Sequence, residues 1–185
     1  MIDVYGYINN FFKTTIQTVD IYNEISLQHE MGIFLRNSIS DYKVQFERNI
    51  SYFNVRGKFA KGGEIDISIF NADKSDRYAI ELKYPNNGRV PETMYDFVKD
   101  IKFMEELKVK GFTNTFCVVL VLDSNFYKGT KQDGIYKHFR NEHSIYGDVY
   151  KPTGKSNDYI SIGGRYDFEW CSITGKKEKF YVIKI

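Results

Sequence analysis

The chain has 185 residues and a net charge of +2, with 42% hydrophobic and 27% charged residues. These values predict a single globular domain over residues 1–185 and exclude general disorder. The longest apolar run, Phe116 to Leu122, is too short to span a membrane. With two cysteines and no targeting pattern, we expect a reduced, cytoplasmic protein without membrane contact.

The N-terminal third predicts helices followed by a strand. Residues 4–16 are rich in Tyr, Phe and Ile and are compatible with a short helix. Apolar side chains at spacings of three and four predict a firmer helix over residues 20–38. Residues 42–52 alternate loosely between apolar and polar side chains, which predicts the first strand.

A β-hairpin is predicted next. Residues 64–70 and 77–84 alternate cleanly, and the polar segment 71–76 between them is typical of a turn. If the turn is centred on Asp73 and Lys74, facing residues have numbers that sum to 147. This register places Asp66 directly opposite Glu81.

The hairpin is followed by a break at residues 85–88 and a second long helix. Pro91 suits the first turn of that helix, which we expect to run to about Lys110 and to stop at Gly111. Residues 115–122 are continuously apolar, which is typical of a strand buried on both faces. Strand, helix and buried strand together predict a βαβ unit with parallel pairing.

The last third gives weaker signals. Residues 135–140 predict a short helix, and residues 166–173 and 179–185 predict a second hairpin. We therefore expect an α/β fold with a central mixed β-sheet. Its helix-strand-strand-strand-helix-strand core covers about residues 20–123, and residues 124–185 form a C-terminal embellishment.

The charged face of the predicted hairpin is the main candidate site. Asp66 lies on one strand, and Glu81 and Lys83 share a face of the other. Two carboxylates facing each other across a sheet destabilise it unless something positive lies between them. A divalent cation does this, and oxygen ligands favour Mg²⁺ or Mn²⁺ over zinc.

Glu30 is a further candidate on the predicted helix 20–38. It lies three residues after Leu27 and four before Phe34, so it is expected to point with the apolar stripe towards the core. A carboxylate is almost never buried without a partner. A metal ion is one such partner, and an arginine such as Arg36 or Arg56 is an alternative.

The spacing of Glu30, Asp66, Glu81 and Lys83, with the predicted elements around them, resembles the PD-(D/E)xK nuclease superfamily. This resemblance covers about residues 20–123 and implies the restriction-endonuclease-like fold. It departs from the pattern at Ile65, where the motif name has Pro.

The resemblance implies a metal-dependent nuclease that hydrolyses phosphodiester bonds of DNA. In that family Asp66, Glu81 and the Leu82 main-chain carbonyl would bind Mg²⁺, for which Mn²⁺ substitutes. Lys83 would orient or activate the attacking water, and Glu30 would ligate or support the site. Cleavage of both strands would suggest a homodimer.

Two other interpretations remain open. The same fold can serve as a non-catalytic nucleic-acid-binding or assembly module that works with a partner protein. Residues 125–185 carry 11 basic and 7 acidic side chains, a surplus that permits nucleic-acid binding without requiring it. In the other interpretation the charged hairpin face is simply solvated, and its cross-strand ion pairs contribute little.

Overall fold

A mixed six-stranded β-sheet forms the centre of the protein in a computed structural model. The structure describes residues 1–85, 88–154 and 157–185. The helices are α1 (Val4–Asn10), α2 (Glu24–Ser38) and α3 (Val90–Val109). The strands are β1 (Lys43–Asn49), β2 (Glu64–Phe70), β3 (Arg77–Lys83), β4 (Asn114–Val121), β5 (Ser144–Tyr150), β6 (Tyr159–Asp167), β7 (Cys171–Ser172) and β8 (Lys179–Lys184).

The main sheet has the strand order β1-β2-β3-β4-β8-β7, and β5 pairs with β6 in a separate two-stranded sheet. Strands β1, β2 and β3 are antiparallel neighbours, whereas β3 and β4 are parallel and are connected through α3. The predicted α/β class, the mixed sheet and the order helix-strand-strand-strand-helix-strand are therefore confirmed.

Each face of the main sheet carries its own apolar layer. Leu27 and Met31 of α2 pack with Ile67 and Ile80 on one face, and α1 contributes to the same layer. On the other face α3 packs against the sheet and is covered in turn by β5 and β6. Buried area of this kind is the main driving force for folding. The sheet is thus buried on both faces, as the apolar run in β4 predicted.

The predicted hairpin of β2 and β3 is confirmed, including its register. Ile67 pairs with Ile80 and Phe70 pairs with Arg77, so facing residue numbers sum to 147. The regular pairing stops at Ile67 and Ile80, one position before Asp66 and Glu81. The strands therefore separate at the end where the candidate site residues lie.

One predicted face of β2 is wrong in detail. Ile65 was expected beside Ile67 and Ile69, but it packs in the apolar layer of α3. On the neighbouring strand Glu47 has a φ of 48°, and the pairing skips it between Phe46 and Arg48. This local distortion lies beside Asp66, at the place where the side changes.

Helix α2 begins four residues later than predicted. Asn23 is its N-cap, because the Asn23 side chain accepts a hydrogen bond from the Ser26 backbone while the Ser26 hydroxyl accepts one from the Asn23 backbone. This reciprocal capping fixes the start of a helix. Glu24 is therefore the first helical residue, at the end of α2 that lies nearest to β3 and Lys83.

The C-terminal third is built differently from the prediction. Strand β8 pairs with β4 inside the main sheet, so the core does not end at residue 123. Strand β5 was missed, and the predicted strand 166–173 is divided between the end of β6 and the short β7. The predicted helix 135–140 is a single helical turn at Lys137–Asn141. Of the predicted second hairpin, only the pairing of Cys171 and Ser172 with β8 is observed.

Helix α3 agrees with its predicted bounds. Pro91 lies in its first turn, and Gly111 follows it with a φ of 89°, a left-handed conformation that favours glycine. Of the predicted break at residues 85–88, Asn86 and Asn87 lie outside the described residues. Within the described ranges, none of the helices combines the length and apolar character needed to cross a bilayer.

Candidate functional site

Asp66 lies at the point where β2 and β3 separate. Its carboxylate Oδ2 accepts a hydrogen bond from the Leu82 backbone N–H at 2.7 Å, in place of the regular pairing between strands. Its carbonyl oxygen accepts one from the side-chain amide of Gln28 on α2 at 2.8 Å. These contacts fix Asp66 from both sides at the open end of the hairpin.

Two further carboxylates are buried beside it. Glu81 of β3 is 1% exposed and Asp100 of α3 is 3% exposed. Both contact the same ammonium group, because Nζ of Lys61 forms ion pairs with Oε2 of Glu81 and, at 3.3 Å, with Oδ1 of Asp100. We call Asp66, Glu81 and Asp100 the acidic cluster.

Lys83 is the second lysine that contacts the acidic cluster. Its Nζ lies 3.5 Å from Oδ2 of Asp100 and 3.3 Å from Oε1 of Glu24. It also donates a hydrogen bond to the Leu82 carbonyl at 3.1 Å. Lys83 and the Leu82 carbonyl, both predicted from the sequence, therefore lie in the same group of contacts as Asp66 and Asp100.

Burial dominates the ionisation of the acidic cluster. It raises the pKa of Asp66 to about 6, although Lys61, the Leu82 N–H and Lys83 oppose the shift. Burial and the neighbouring charges of Asp66 and Asp100 raise the pKa of Glu81 well above its usual value. Burial also raises the pKa of Asp100, against the opposing effect of both lysines. Carboxylates with raised pKa values grouped at one site are a recognised signature of function.

The two lysines are held in their charged form. Burial alone lowers the pKa of a lysine, but the charges of Asp100 and Glu81 outweigh it and raise the pKa of Lys61. For Lys83, Asp100 and Glu24 likewise outweigh burial and raise the pKa. The site therefore contains fixed positive charge among buried carboxylates.

The donor atoms of the acidic cluster suit a hard divalent cation. Carboxylate and carbonyl oxygens are the ligands that Mg²⁺ prefers. Oε1 of Glu81 is buried and accepts no hydrogen bond from the described part of the chain. The acidic cluster and Glu24 place four carboxylates around two ammonium groups, Lys61 and Lys83, so the carboxylates outnumber the lysines.

In its present arrangement the acidic cluster is not a formed metal site. Among the described residues, no three Asp, Glu, His or Cys side chains lie close enough together to hold one metal ion. Lys61 occupies the position between Glu81 and Asp100. A divalent cation would have to draw the carboxylates together and displace this lysine.

The structure does not bring Glu30 into these contacts. The buried line of α2 runs through Leu27, Met31 and Leu35, and Glu30 lies partly exposed beside it. In the described residues Glu30 forms no ion pair with Lys83 and no hydrogen bond with the acidic cluster. Glu24 contacts the site instead, since its carboxylate also accepts a hydrogen bond from the Tyr84 backbone at 3.2 Å.

Three site residues escaped the sequence analysis: Lys61, Asp100 and Glu24. Asp100 had a signal, because it lies three residues after Phe97 and four before Met104, the same spacing argument that selected Glu30. Lys61 lies in an irregular loop without periodicity. Glu24 required the exact start of α2, and helix boundaries are the least certain part of such predictions.

A cleft opens beside Lys83. It has a volume of about 380 Å³ and lies between the start of α2, the end of β3 and the first turns of α3. Glu24, Lys83, Thr93 and Asp96 are among the residues that line it. Of the charged groups described above, Lys83 and Glu24 line this cleft, whereas the carboxylates of the acidic cluster lie behind Lys83 and are not part of its lining.

In comparisons with known proteins, no family model, curated protein or solved structure matches the chain significantly. The functional argument therefore depends on the geometry of the chain's own residues.

Proposed function

We propose that the protein is a metal-dependent nuclease with the restriction-endonuclease-like fold, and that it hydrolyses phosphodiester bonds of DNA. The observation that carries this proposal is the convergence of Asp66, Glu81 and Lys83 at the open end of the hairpin. Asp100 adds a third carboxylate there, and both Asp100 and Glu81 are buried. Charged groups are costly to bury, and such a concentration is more typical of a functional site than of a structural one.

In this proposal Asp66, Glu81 and the Leu82 carbonyl hold Mg²⁺, with Mn²⁺ as a substitute. When bound, the ion would act as a Lewis acid and lower the pKa of a water molecule. Lys83, at the edge of the cleft, would hold its positive charge against the phosphoryl oxygens and orient the attacking water. Glu24 positions Lys83 through their ion pair.

A second candidate function has one specific observation in its favour. Because Lys61 already pairs with Glu81 and Asp100, the acidic cluster can be regarded as a structural ion-pair network. On that basis the fold would serve as a non-catalytic nucleic-acid-binding or assembly module. The two proposals differ in whether a divalent cation changes the behaviour of the protein.

The test is cleavage by the purified protein in Mg²⁺ or Mn²⁺, with duplex, single-stranded and branched DNA and RNA as substrates. Lys83→Ala and Asp66→Asn should each reduce cleavage by roughly 10²–10³-fold. Glu30→Gln is the matched control, because it neutralises a carboxylate of α2 outside the observed contacts, and it should retain full activity. Absence of wild-type cleavage on every substrate would favour the module, and equal cleavage by Asp66→Asn would indicate a contaminating nuclease.

A further inference from the structure

Lys61 reaches the acidic cluster from an irregular loop, residues 54–63, which we call the Lys61 loop. Two contacts with α3 hold this loop just before Lys61. The ring of Phe59 packs edge-on against Phe103, with 5.8 Å between the ring centres, and the Ala60 N–H donates to Glu106 at 2.9 Å. The loop is therefore anchored on one side of Lys61.

The other side of Lys61 is less restrained. Gly62 follows it directly, and a side-chain carbon added at Gly62 would meet nothing within 4 Å, whereas the next residue, Gly63, is held by a hydrogen bond from the Ile50 backbone N–H to its carbonyl at 2.8 Å. The glycine at position 62 allows wide backbone rotation next to Lys61. The Lys61 side chain is 30% exposed, although its ammonium group lies against buried carboxylates. Lys61 can thus withdraw towards solvent without disturbing the anchor at Phe59.

The charges of the acidic cluster favour a cation that carries more positive charge than an ammonium group. With Lys61 and Lys83 in place, the three carboxylates of the cluster and Glu24 share only two ammonium groups. A divalent cation in place of Lys61 would add one further positive charge. It would also supply a partner for the buried Oε1 of Glu81, which accepts no hydrogen bond from the residues described.

We propose that Lys61 is an exchangeable internal cation: it occupies the acidic cluster in the metal-free protein and is displaced when a divalent cation binds. This inference rests on the proposed metal site but concerns a residue that the site's ligand set does not include. It explains how Glu81 and Asp100 remain buried without metal. Because the ammonium group and the metal compete for the same oxygens, Lys61 sets the metal affinity of the site.

The first experiment compares wild type with Lys61→Met, which keeps the length of the side chain and removes its charge. In EDTA the variant should melt roughly 5–15 °C lower, because Glu81 and Asp100 lose their partner. Millimolar Mn²⁺ should restore most of this loss. In calorimetric titrations the variant should bind Mn²⁺ at least about tenfold more tightly than wild type, because no lysine competes.

Lys58→Met is the matched control, since Lys58 is an exposed lysine of the same loop that lines a different groove. It should melt and bind Mn²⁺ as wild type does. If Lys61→Met bound Mn²⁺ no more tightly than wild type, or less tightly, competition by Lys61 would be refuted.

A second measurement uses the wild-type protein and does not depend on the folding of a variant. Reductive methylation followed by peptide mass spectrometry reports the accessibility of each lysine amine. Labelling of Lys61 should be slow in EDTA and several-fold faster in Mn²⁺, whereas Lys58 should be labelled equally in both. Equal protection of Lys61 with and without bound Mn²⁺ would overturn the proposal.

These results separate the exchange from the nuclease function. Tighter Mn²⁺ binding by Lys61→Met without any cleavage of nucleic acid would support the exchange and contradict the nuclease. Metal-dependent cleavage by wild type with Lys61 still protected would support the nuclease and contradict the exchange.

Discussion

Strand β3 has carboxylates at both ends, and the two ends are built differently. Asp76, just before the strand, accepts hydrogen bonds from the hydroxyl groups of Thr113, Tyr42 and Tyr78. Glu81, near the other end, has one oxygen on Lys61 and a second, buried oxygen that accepts no hydrogen bond from the described residues. One carboxylate is matched to its donors, and the other is not.

The pKa values show the same difference. Partial burial raises the pKa of Asp76, but hydrogen bonds from Thr113, Tyr42 and Tyr78 outweigh it and lower the pKa below the usual value. At the other end burial prevails and raises the pKa values of Asp66 and Glu81. A carboxylate that stabilises the fold is supplied with donors, whereas the acidic cluster costs stability. Such a cost is typical of sites kept for function.

Among the carboxylate variants, the largest effect on stability is expected at Asp76. Asp76→Ala removes the acceptor shared by Thr113, Tyr42 and Tyr78, so partly buried hydroxyl groups lose their partner. We expect the free energy of unfolding to fall by about 2–4 kcal/mol, measured by urea denaturation. A loss below about 0.5 kcal/mol would show that this end is not structural.

Asp66→Asn should change stability in the opposite direction. Between the usual value of 3.8 and the folded pKa of about 6, the folded protein binds the proton more tightly than the unfolded chain does. The stability of the wild type therefore falls as pH rises through this window. At pH 8 we expect Asp66→Asn to gain roughly 1–3 kcal/mol, and near pH 4 the gain should vanish. A gain that is constant with pH would contradict the account.

Divalent cations should act on one end of β3 alone. Millimolar Mn²⁺ should raise the melting temperature of the wild type by about 2–6 °C, because it binds the folded state. Asp66→Asn should lose most of this shift, and Asp76→Asn should keep it in full. The melting temperatures are measured by differential scanning fluorimetry. Equal shifts of the melting temperature in both variants would show that the cation binds elsewhere.

The smallest effects are expected on helix α2. Glu24→Gln removes an ion pair with Lys83 in which Glu24 is the more exposed partner, so it should destabilise the protein by less than about 1 kcal/mol. Glu30→Gln should change stability by less than about 0.5 kcal/mol. Glu24→Gln should reduce cleavage more than Glu30→Gln does, since only Glu24 contacts Lys83. A larger loss of cleavage in Glu30→Gln than in Glu24→Gln would show that Glu30 belongs to the site.

Local patterns predicted the hairpin well. The alternation in β2 and β3 and the polar turn between them fixed the register, and hence the positions of Asp66, Glu81 and Lys83. These features depend on residues close in sequence, so they can be recognised without a structure. The predicted parallel pairing of β3 and β4 follows from the same kind of local signal.

Contacts between distant segments were harder to predict. Lys61 reaches Glu81 from a loop, and no periodicity indicates where a loop side chain points. Glu30 satisfied the helix spacing, but the buried line of α2 runs through Leu27, Met31 and Leu35, and Glu30 lies at its partly exposed edge. The sequence predicted a strand near β8, but not its partner. Its pairing with β4 depends on the order of the strands in the sheet, which local patterns do not give.

The most direct test of the account is a crystal structure of the protein grown in Mn²⁺, with anomalous diffraction measured at the manganese absorption edge. The account predicts an anomalous peak beside Glu81, with the Lys61 ammonium group withdrawn from Glu81 and Asp100. A fully loaded crystal with no peak there, and with Lys61 still between the two carboxylates, would contradict it.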